Sequence, residues 1–505
     1  MINNNEIRHY DFVIVGSGFA GSILGMCLSK IGYSVCILEK EKHPRFAVGE
    51  SSTPIADMVL RKLAEDCNLP FLSKISRYGE WQRTYPDIGC GLKRGFSYYF
   101  QIPGEEFKGD RAHTKELLVA ASINDENSDT NWLRSDVDHF LIQKAAEVGV
   151  MVLEETEITD LRRDGETASW TIGVKSGESK NIVQCRWLID ATGSDQFSRK
   201  FLGTTSSSDL FETNSRALFS HFSGVPEWYG HLKKNQSVID DYPYHPDHSA
   251  LHQLLEEGWI WMLRFNSGKL SAGILLDNSE EIAADNTEAQ FFSIIRRYPS
   301  LKRLFESAEL SKTPGKVIKT GRLQRKLNRV FGDGWIALNH SGGFVDPLHS
   351  TGIAHTLCTV EKIVNMFKNK TSSNDIQARL HKYQETMFME IELIDLLVSA
   401  GYMTRRNFPL FTAAVMLYFV ASVRYEQSRL KGDIPDSYLC AADPEIKNCI
   451  RKSFDEIKKA KTENRLDLDT GTLIQHIKQR VDPLNNVGLM DESKKNMYTH
   501  TAVEM

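Results

Sequence analysis

The chain has 505 residues, of which 41% are hydrophobic and 25% charged, and its formal net charge is −5 at pH 7. This composition is typical of a globular protein with a large core and excludes a disordered or collagen-like chain. The slightly acidic balance indicates no basic surface for nucleic acid, so we expect no nucleic-acid partner.

The first forty residues predict one βαβ unit. An apolar run over 11–15 is typical of a buried parallel strand, a helix-like stretch covers 22–31, and a second apolar strand covers 33–38. A glycine-rich turn joins the first strand to the helix, with the sequence Gly16-Ser-Gly18-Phe19-Ala20-Gly21. This order of elements indicates a Rossmann-type dinucleotide-binding unit.

Each glycine of the turn has a physical role in such a unit. Gly16 permits the tight turn, Gly18 lets a pyrophosphate approach the backbone, and Gly21 lets the helix pack close to the strand. The helix N-terminus then presents unpaired N–H groups to the phosphates. Glu39, 18 residues after Gly21, is placed to accept hydrogen bonds from the ribose hydroxyls. The glycines alone are a weak signal, and the flanking strands and the acid make it a strong one.

Further strands and helices follow along the chain. A Gly-Glu-Ser-Ser-Thr-Pro segment at 49–54 precedes an amphipathic helix, and a strand-like piece covers 91–100. A helix opens near Arg134, and a buried strand ends at Gly193. From about 205 to 320 the pattern becomes aromatic and alternating, which predicts a separate sheet layer over the first domain.

The last third of the chain combines one glycine-rich loop with helical periodicity. A strand over 334–339 runs into the segment Ser341-Gly-Gly-Phe-Val-Asp346-Pro-Leu-His349-Ser-Thr-Gly352-Ile353 and then into a helix. Beyond about 370 the apolar residues recur with a helical period, and the last sixty residues are polar. We expect that polar tail to wrap the surface.

The order of these segments resembles FAD-dependent oxidoreductases of the para-hydroxybenzoate-hydroxylase type. Within that group the chain resembles the flavin-dependent halogenases most. The 49–54 segment is similar to their Gly-Glu-Ser/Ala-x-x-Pro motif, and Asp346 to Ile353 is close to the Asp-Pro-Leu-Glu-Ser-Thr-Gly-Ile stretch of tryptophan halogenases. Trp259-Ile-Trp261 is similar to the first half of their Trp-x-Trp-x-Ile-Pro signature, although Leu263-Arg264 replaces the Ile-Pro.

The resemblance implies an α/β fold. A Rossmann-type FAD-binding domain over 1–370 would be interleaved with an antiparallel substrate sheet, at about 80–105 and 205–320. A mostly helical region would follow over 371–505. The resemblance also implies the residues that contact FAD: Gly16, Gly18, Phe19, Ala20, Gly21, Glu39, Lys40, Glu50, Ser51, Arg134, Gly193, Asp346, Pro347, Ser350, Thr351, Gly352 and Ile353.

Lys93 is the residue that best resembles the catalytic lysine of the halogenases. It follows the Gly-Glu-Ser helix, in a Lys-x-Gly-x-x-Phe context, but its distance from Glu50 is longer than in tryptophan halogenases. Arg94 and Lys74 therefore remain alternatives, and an isolated lysine is more often a solvated surface group. His349 stands where tryptophan halogenases place a glutamate, and a histidine cannot supply a permanent carboxylate. This departure argues against tryptophan as the substrate.

Two aromatic and histidine patterns have alternative interpretations. Trp259 and Trp261 share one strand face, and we expect them to form a wall between flavin and substrate rather than to fill core. His245, His248 and His252 could suggest a metal cluster, but Pro246 interrupts the segment and no cysteine or carboxylate set accompanies them. We predict pocket-lining histidines and no metal site.

The resemblance implies an FAD-dependent oxidoreductase of secondary-metabolite biosynthesis. It would use reduced FAD, O₂ and chloride or bromide to halogenate an electron-rich substrate, aromatic or carrier-bound. The alternative is a halogenase-like monooxygenase or oxidoreductase that acts without halide. The 191–198 segment lacks the Asp-Gly pair typical of hydroxylases that reduce their own flavin, and no second GxGxxG is visible. We therefore expect a separate NAD(P)H-dependent flavin reductase as partner.

The sequence also predicts where the protein resides. The eight cysteines are never closer than nine residues apart, so no CxxC pair exists. The N-terminus has no apolar signal core, and the longest apolar run, 410–423, is shorter than the roughly 20 residues that span a bilayer. We expect a cytoplasmic protein without a transmembrane segment.

Overall fold

The computed structural model describes residues 8–368 and 373–501. The strands of these residues, in chain order, are β1 (Arg8–Val15), β2 (Val35–Leu38), β3 (Cys90–Lys93), β4 (Gly95–Phe100), β5 (Glu116–Ala120), β6 (Asp129–Trp132), β7 (Met151–Leu153), β8 (Glu157–Asp164), β9 (Ser169–Ser176), β10 (Ser179–Asp190), β11 (Ser206–Ser207), β12 (Ser215–Ser223), β13 (Ala250–Leu254), β14 (Gly258–Arg264), β15 (Leu270–Asp277), β16 (Glu309–Leu310), β17 (Ile318–Lys319), β18 (Arg325–Leu327), β19 (Phe331–Gly332), β20 (Trp335–Ala337), β21 (Gly343–Phe344) and β22 (Met497–Tyr498).

The α-helices of the same residues are α1 (Phe19–Lys30), α2 (Pro54–Asp66), α3 (Pro70–Lys74), α4 (Tyr78–Thr84), α5 (Arg134–Glu147), α6 (Gln196–Phe201), α7 (Trp228–Lys234), α8 (Thr287–Arg296), α9 (Pro299–Leu304), α10 (Asn339–Gly342), α11 (Thr351–Phe367), α12 (Ser373–Thr404), α13 (Phe408–Leu430), α14 (Pro444–Thr462) and α15 (Thr470–Val481). The predicted α/β fold with a helical C-terminal region is confirmed.

The first sheet is built around β1. Its order is β19-β20-β10-β1-β2-β7, and β2, β7, β10 and β20 join it through parallel pairs. The apolar residues of β1 and β2 are buried because α1 covers this part of the sheet. The carboxyl ends of parallel strands meet at one edge, so Gly16 after β1, Glu39 after β2 and Ala191 after β10 lie together.

The second sheet has nine strands in the order β16-β12-β15-β14-β13-β4-β5-β22, with β17 attached to β12. Alternation along β14 divides its side chains between two cores: Trp259 and Leu263 belong to the large core, while Ile260 and Met262 belong to a smaller one beneath α8 and α9. The edge strand β22 comes from the C-terminal tail and pairs in parallel with β5. The polar tail was predicted only to wrap the surface.

The strand-like piece over 91–100 is two strands in two different sheets. Lys93 ends β3, which pairs with β6 in a two-stranded sheet, while Gly95 begins β4 in the nine-stranded sheet. The break comes from close backbone approaches on both sides of it. A Cβ atom on Gly91 would lie 1.8 Å from the Arg264 carbonyl oxygen, and one on Gly95 would lie 2.0 Å from that of Val119.

The C-terminal helices pack on the sheets through α13. Of the described helices, α13 is long and apolar enough to cross a bilayer, with a mean hydropathy of 1.4, but 83% of that window is buried inside the protein. It packs against α12 and α15 and belongs to the large hydrophobic core. The helix is therefore explained as a core helix. The predicted boundary near residue 370 lies outside the described residues.

Candidate functional site

A cavity of about 540 Å³ lies at the carboxyl edge of the first sheet. Its size falls within the range of small-molecule and cofactor sites, about 300–1,000 Å³. Eight of the predicted cofactor residues line it: Gly16, Gly18, Phe19, Ala20, Glu39, Lys40, Arg134 and Gly193. The βαβ unit therefore brings its motif residues to one surface.

The glycines of the turn are required by close backbone approaches. Gly16 has a φ of +101°, and a Cβ atom there would lie 2.6 Å from the Ala191 carbonyl oxygen. A Cβ on Gly21 would lie 2.1 Å from the Gly16 carbonyl oxygen, so only glycine lets α1 start this close to β1. Gly21 supports the turn from behind and does not itself line the cavity.

Glu39 is a buried carboxylate with several partners. Its Oε2 accepts hydrogen bonds from Ser17 Oγ at 2.8 Å, from the Ser17 N–H at 3.1 Å and from Arg45 at 3.2 Å. Burial acts to raise its pKa, but Arg45 and the hydrogen bonds outweigh it, and the net pKa lies below the usual value. Glu39 is therefore an ionised acceptor at neutral pH.

Arg134 holds the segment before α2 against the cavity. Its guanidinium pairs with Asp138 at 2.8 and 2.9 Å and donates to the carbonyls of Val48 and Gly49 at 2.9 and 3.1 Å. It also lies over the Phe19 ring, 4.8 Å from its centroid. The residue lines the cavity while it orders the 45–50 loop.

Other predicted cofactor residues lie outside the cavity lining. The Asp346 side chain accepts from Ser215 Oγ at 2.6 Å and from Tyr402 Oη at 2.9 Å, so its carboxyl faces the second sheet and α12 rather than the cavity. Burial raises the pKa of Asp346 to about 7, with Ser215 and Tyr402 acting in the opposite direction. The neighbouring residues that are likewise absent from the lining are Pro347, Ser350, Thr351, Gly352 and Ile353.

Glu50 and Ser51 are also outside the cavity lining. Glu50 is 3% exposed, and its Oε1 lies 2.8 Å from His221 Nε2 on β12. Ser51 forms an isolated β-bridge with Asn131. These contacts attach the 45–53 loop to β12 of the nine-stranded sheet and to β6 of the two-stranded sheet.

The sequence analysis missed several residues that line the cavity. Arg45 and Phe46 come from the loop after β2, His340 and Ser341 from α10, and Thr356 from α11. Arg45 and Phe46 lie in the sequence between Glu39 and the Gly-Glu-Ser segment, and this position could have predicted that they line the cavity. The other three reach the cavity only through tertiary packing. Burial lowers the pKa of His340 to about 3, so it is neutral near pH 7.

Lys93 lies in a second, fully buried region with 0% exposure. Its Nζ donates to the Ser52 carbonyl at 2.5 Å, lies 3.9 Å from Asp129 Oδ2 and sits 4.2 Å from the centroid of the Phe96 ring. Burial lowers its pKa to about 8, while Asp129, Asp57 and Glu426 act to raise it. The amine is thus close to the balance between its charged and neutral forms.

The Phe96 ring, which contacts this amine, begins a chain of packed aromatic rings. His252 stacks on Tyr98 at 4.6 Å and contacts Trp259 at 5.0 Å, and Phe96 lies between Lys93 and helix α13. The rings that take part in this chain of contacts are Phe96, Tyr98, His252, Trp259, Phe411, Tyr418 and Phe419, which we call the aromatic cluster. Tyr98 Oη and His252 Nδ1 are buried without a hydrogen-bond partner of good geometry.

His349 is close to the aromatic cluster but has no direct contact with the lysine. Its ring stacks on Tyr418 with centroids 4.7 Å apart, and neither ring nitrogen has a partner of good geometry. Burial lowers its pKa to about 4, opposed by the Leu397 backbone. The structure contains no hydrogen bond or ion pair between His349 and Lys93, so their predicted coupling would be indirect.

The two tryptophans of β14 differ in their roles. Trp259 is buried in the aromatic cluster, and its Nε1 donates to Tyr402 Oη at 3.2 Å, which in turn donates to Asp346. Trp261 is partly exposed and donates to Ser271 Oγ at 3.1 Å. Only Trp259 thus connects the Asp-Pro loop to the surroundings of Lys93.

The alternatives from the sequence have other surroundings. Lys74 is exposed and pairs with Glu80, and Arg94 pairs with Asp125 at 2.8 Å. His245 and His248 stack on each other at 4.5 Å, while His252 lies in the aromatic cluster. Within the described ranges, no group of three or more His, Cys, Asp or Glu side chains could hold a metal ion.

The residues of the cavity fit FAD. Gly16 and Gly21 leave no room for a Cβ, which is the tight strand-to-helix turn of a dinucleotide-binding unit. The ionised Glu39 stands at the end of β2, where an acid accepts ribose hydroxyls. The 45–53 loop then runs from the cavity to the Ser52 carbonyl, which binds Lys93.

Comparison with known proteins agrees with this geometry. The tryptophan halogenase family model matches residues 133–414, and the FAD dependent oxidoreductase model matches residues 11–217. The monodechloroaminopyrrolnitrin halogenase PrnC of Pseudomonas fluorescens is 27% identical over 466 residues, which cover 87% of this chain and 79% of that protein. The tetracycline 7-halogenase of Kitasatospora aureofaciens is 26% identical, covering 82% and 74%.

Solved structures show the same fold. The halogenase PltM superposes with a TM-score of 0.85 at 21% identity, over 96% of this chain and 99% of that one. The flavin-dependent brominase Bmp2 gives a TM-score of 0.63 at 22% identity, over 89% and 99%. The PltM likeness extends through the C-terminal helices, for which the sequence analysis identified no family motif.

Proposed function

Because the chain belongs to the tryptophan halogenase family and is a flavin-dependent halogenase that uses FAD and halide, we propose that Lys93 directs halogenation of an electron-rich aromatic substrate. When bound, reduced FAD supplies the reaction of O₂ with halide that produces the halogenating oxidant. The residues of this chain bind the cofactor, hold the oxidant and orient the substrate.

One observation supports this role of Lys93 most strongly. The amine is fully buried among aromatic rings, yet it is bound to the same 45–53 loop that lines the FAD cavity. A primary ammonium has three donors and can hold a hypohalite oxygen, whereas its neutral form can accept the halogen. With a pKa of about 8, roughly one tenth of the amine is neutral at pH 7.

The surroundings of the lysine favour an aromatic substrate with a polar substituent. The rings of the aromatic cluster offer stacking and edge contacts. Tyr98 Oη and His252 Nδ1 are hydrogen-bonding groups that a hydroxyl or N–H of a substrate would satisfy. One relative is named for tetracycline and another for a pyrrole-2-carbonyl group on a peptidyl carrier protein. We propose a free aromatic substrate first and a carrier-bound one second.

The decisive experiment tests for halogen in the product. Purified protein is incubated with FAD, a flavin reductase, NADH and a panel of phenols, indoles and pyrroles, each with chloride, bromide or no halide. We expect halide-dependent products that mass spectrometry identifies from their isotope patterns. Hydroxylated products that form equally well without halide would instead support the halogenase-like monooxygenase.

We propose that reduced FAD comes from a separate NAD(P)H-dependent reductase. In support, the turn after β10 leads from Gly193 into α6 without the Asp-Gly pair of self-reducing hydroxylases. The protein alone should oxidise NADPH negligibly, and stoichiometric oxidation without a reductase would contradict the proposal. A cytoplasmic location is supported by the eight cysteines, which are all free and buried. Cell fractionation tests it.

A further inference from the structure

The Lys93 amine lies directly opposite a buried carboxyl group. Antiparallel pairing of β3 with β6 places Asp129 across from Lys93, and Asp129 is 1% exposed. The ammonium has three N–H donors, and the structure gives it one hydrogen bond, to the Ser52 carbonyl. The remaining donors lie near Asp129 Oδ2, at 3.9 Å, and the Phe96 ring.

A second carboxyl group adjoins the first. Asp57, in the first turn of α2, accepts from Ser52 Oγ at 3.3 Å, and its side chain interacts with that of Asp129. Each acid has a buried Oδ2 that receives no hydrogen bond from any donor group of the described chain. Two neighbouring carboxylates repel each other, whereas one proton between them satisfies both oxygens. The pair therefore has a place for one exchangeable proton.

The other charged groups around the pair set its balance. Glu426, on α13, is a third buried acid, and burial raises its pKa well above the usual value. Arg77 faces both aspartates and Arg61 faces Asp57, while His252 approaches Lys93 from β13. Burial raises the pKa of Asp129 to about 6, and Lys93 opposes that change. Burial therefore acts on both groups in the direction of their neutral forms.

We propose that Asp129, supported by Asp57, is the proton partner of Lys93. The ammonium transfers one proton to the Asp129 carboxylate, which leaves a neutral amine and a carboxylic acid, and the reverse transfer restores both. The 3.9 Å between Lys93 Nζ and Asp129 Oδ2 is too long for a hydrogen bond, so the transfer requires a side-chain movement that closes this gap or one bridging water. The inference rests on the proposed role of Lys93. It assigns the carboxylate that acts on this lysine to Asp129 of β6, because His349 has no carboxyl group.

The test measures Lys93 itself in the FAD-loaded protein. Lysines are labelled with ¹³C at Cε, the Lys93 signal is assigned by its loss in Lys93→Ala, and its titration is followed by NMR. In Asp129→Asn we expect the pKa of Lys93 to fall by at least about one unit, since an opposite charge at this distance shifts a pKa by about 1–3 units. The limb of the pH–rate profile that reports Lys93 should move to lower pH by the same amount.

Controls separate this role from general damage to the fold. Asp395→Asn removes a buried carboxyl that binds the backbone of Glu212 and Thr213 and is not among the charges that act on Lys93, so it should leave the Lys93 titration unchanged. Asp129→Glu should restore part of the wild-type pKa, because it keeps the acid. If Asp129→Asn does not fold, Asp57→Asn should still lower the pKa of Lys93, by less.

Two results would overturn the inference. One is an unchanged Lys93 titration in folded Asp129→Asn, or in Asp57→Asn where that variant replaces it. The other is a Lys93 pKa shift in Glu426→Gln as large as that in Asp129→Asn, because it would show that Glu426 of α13 carries the charge that acts on Lys93. Failure of the proposed function would look different: Lys93→Ala would still form product, while the Lys93 titration still depended on Asp129.

Discussion

The FAD cavity and the region around Lys93 are built in opposite ways. The cavity is open at the edge of a parallel sheet, and backbone turns such as that at Gly16 shape it. The region around Lys93 is closed, and it is shaped by side chains from β3, β4, β6, β13, β14 and α13. Many residues of the cavity come from a local sequence motif, whereas the groups around Lys93 come from distant segments of the chain.

In the proposed mechanism this difference separates production of the oxidant from its use. A change at the glycine-rich turn or at Glu39 should alter cofactor binding, whereas a change at Lys93 should alter the fate of the oxidant. The 45–53 loop connects the two regions, since Phe46 and Val48 line the cavity and Ser52 binds Lys93. Variants that damage one region and spare the other test the comparison.

The largest expected effect is that of Lys93→Ala. Halogenated product should fall by at least about 10²–10³-fold, the scale seen when one preorganised electrostatic group is lost. FAD binding and the oxidation of reduced FAD by O₂ should stay near wild type. Product is measured by mass spectrometry and flavin oxidation by absorbance.

The matched control for this change is Lys74→Ala, because Lys74 is exposed and pairs with Glu80 at the surface. It should leave product formation unchanged. Full product from Lys93→Ala would remove this amine from the mechanism, and loss of FAD in the same variant would show that the lysine is structural.

Glu39→Ala should weaken FAD binding by about 1.5–3 kcal/mol, the scale of a hydrogen bond to a charged group. The variant also leaves Arg45 and Ser17 without their shared acceptor. Equilibrium flavin titration measures the loss, and Glu39→Gln should recover part of it. Product formed per FAD bound should be unchanged, which would confirm that the two regions act separately.

Gly21→Ala should lower the free energy of unfolding by about 1–3 kcal/mol, the cost of overpacking a tight contact. The added Cβ would lie 2.1 Å from the Gly16 carbonyl oxygen, and a backbone atom cannot rotate away. Urea unfolding of the apoprotein measures the change. Gly230→Ala in α7 is the control: nothing lies within 4 Å of its Cβ position, so it should not destabilise. A Gly21→Ala variant as stable as Gly230→Ala would show that the close contact at Gly21 does not require glycine.

The smallest expected effect is that of His349→Gln on the pH dependence. With a pKa of about 4, this imidazole gains its proton only as the pH falls through that value, so it does not titrate between pH 6 and 9. The pH–rate profile in that range should keep its shape, even if the rate falls. A limb lost between pH 6 and 9 would mean that His349 titrates there. If His349 acts through Lys93, the variant that combines His349→Gln with Lys93→Ala should form product no more slowly than Lys93→Ala alone.

Much of the cofactor region could be predicted because its information is local. The glycine spacing, the two apolar strands and Glu39 lie within thirty-odd residues, and the parallel pairing of β1 and β2 follows from that order. The FAD contacts of Asp346 and its neighbours, which the family resemblance implies, stay a prediction. The structure adds that Ser215 and Tyr402 bind the Asp346 carboxyl on the side of the second sheet and α12.

The sequence by itself determined the βαβ unit, the family and Lys93 as the leading candidate lysine, because each rests on residues close together in the chain. Only the tertiary structure decided that Asp129 faces Lys93 and that Glu426 of α13 approaches this lysine. It also decided that His349 stacks on Tyr418 and makes no hydrogen bond or ion pair with Lys93. These pairs come from strands and helices far apart in sequence. Their protonation depends on burial, which no local pattern encodes, because the exclusion of water is a property of the packed core.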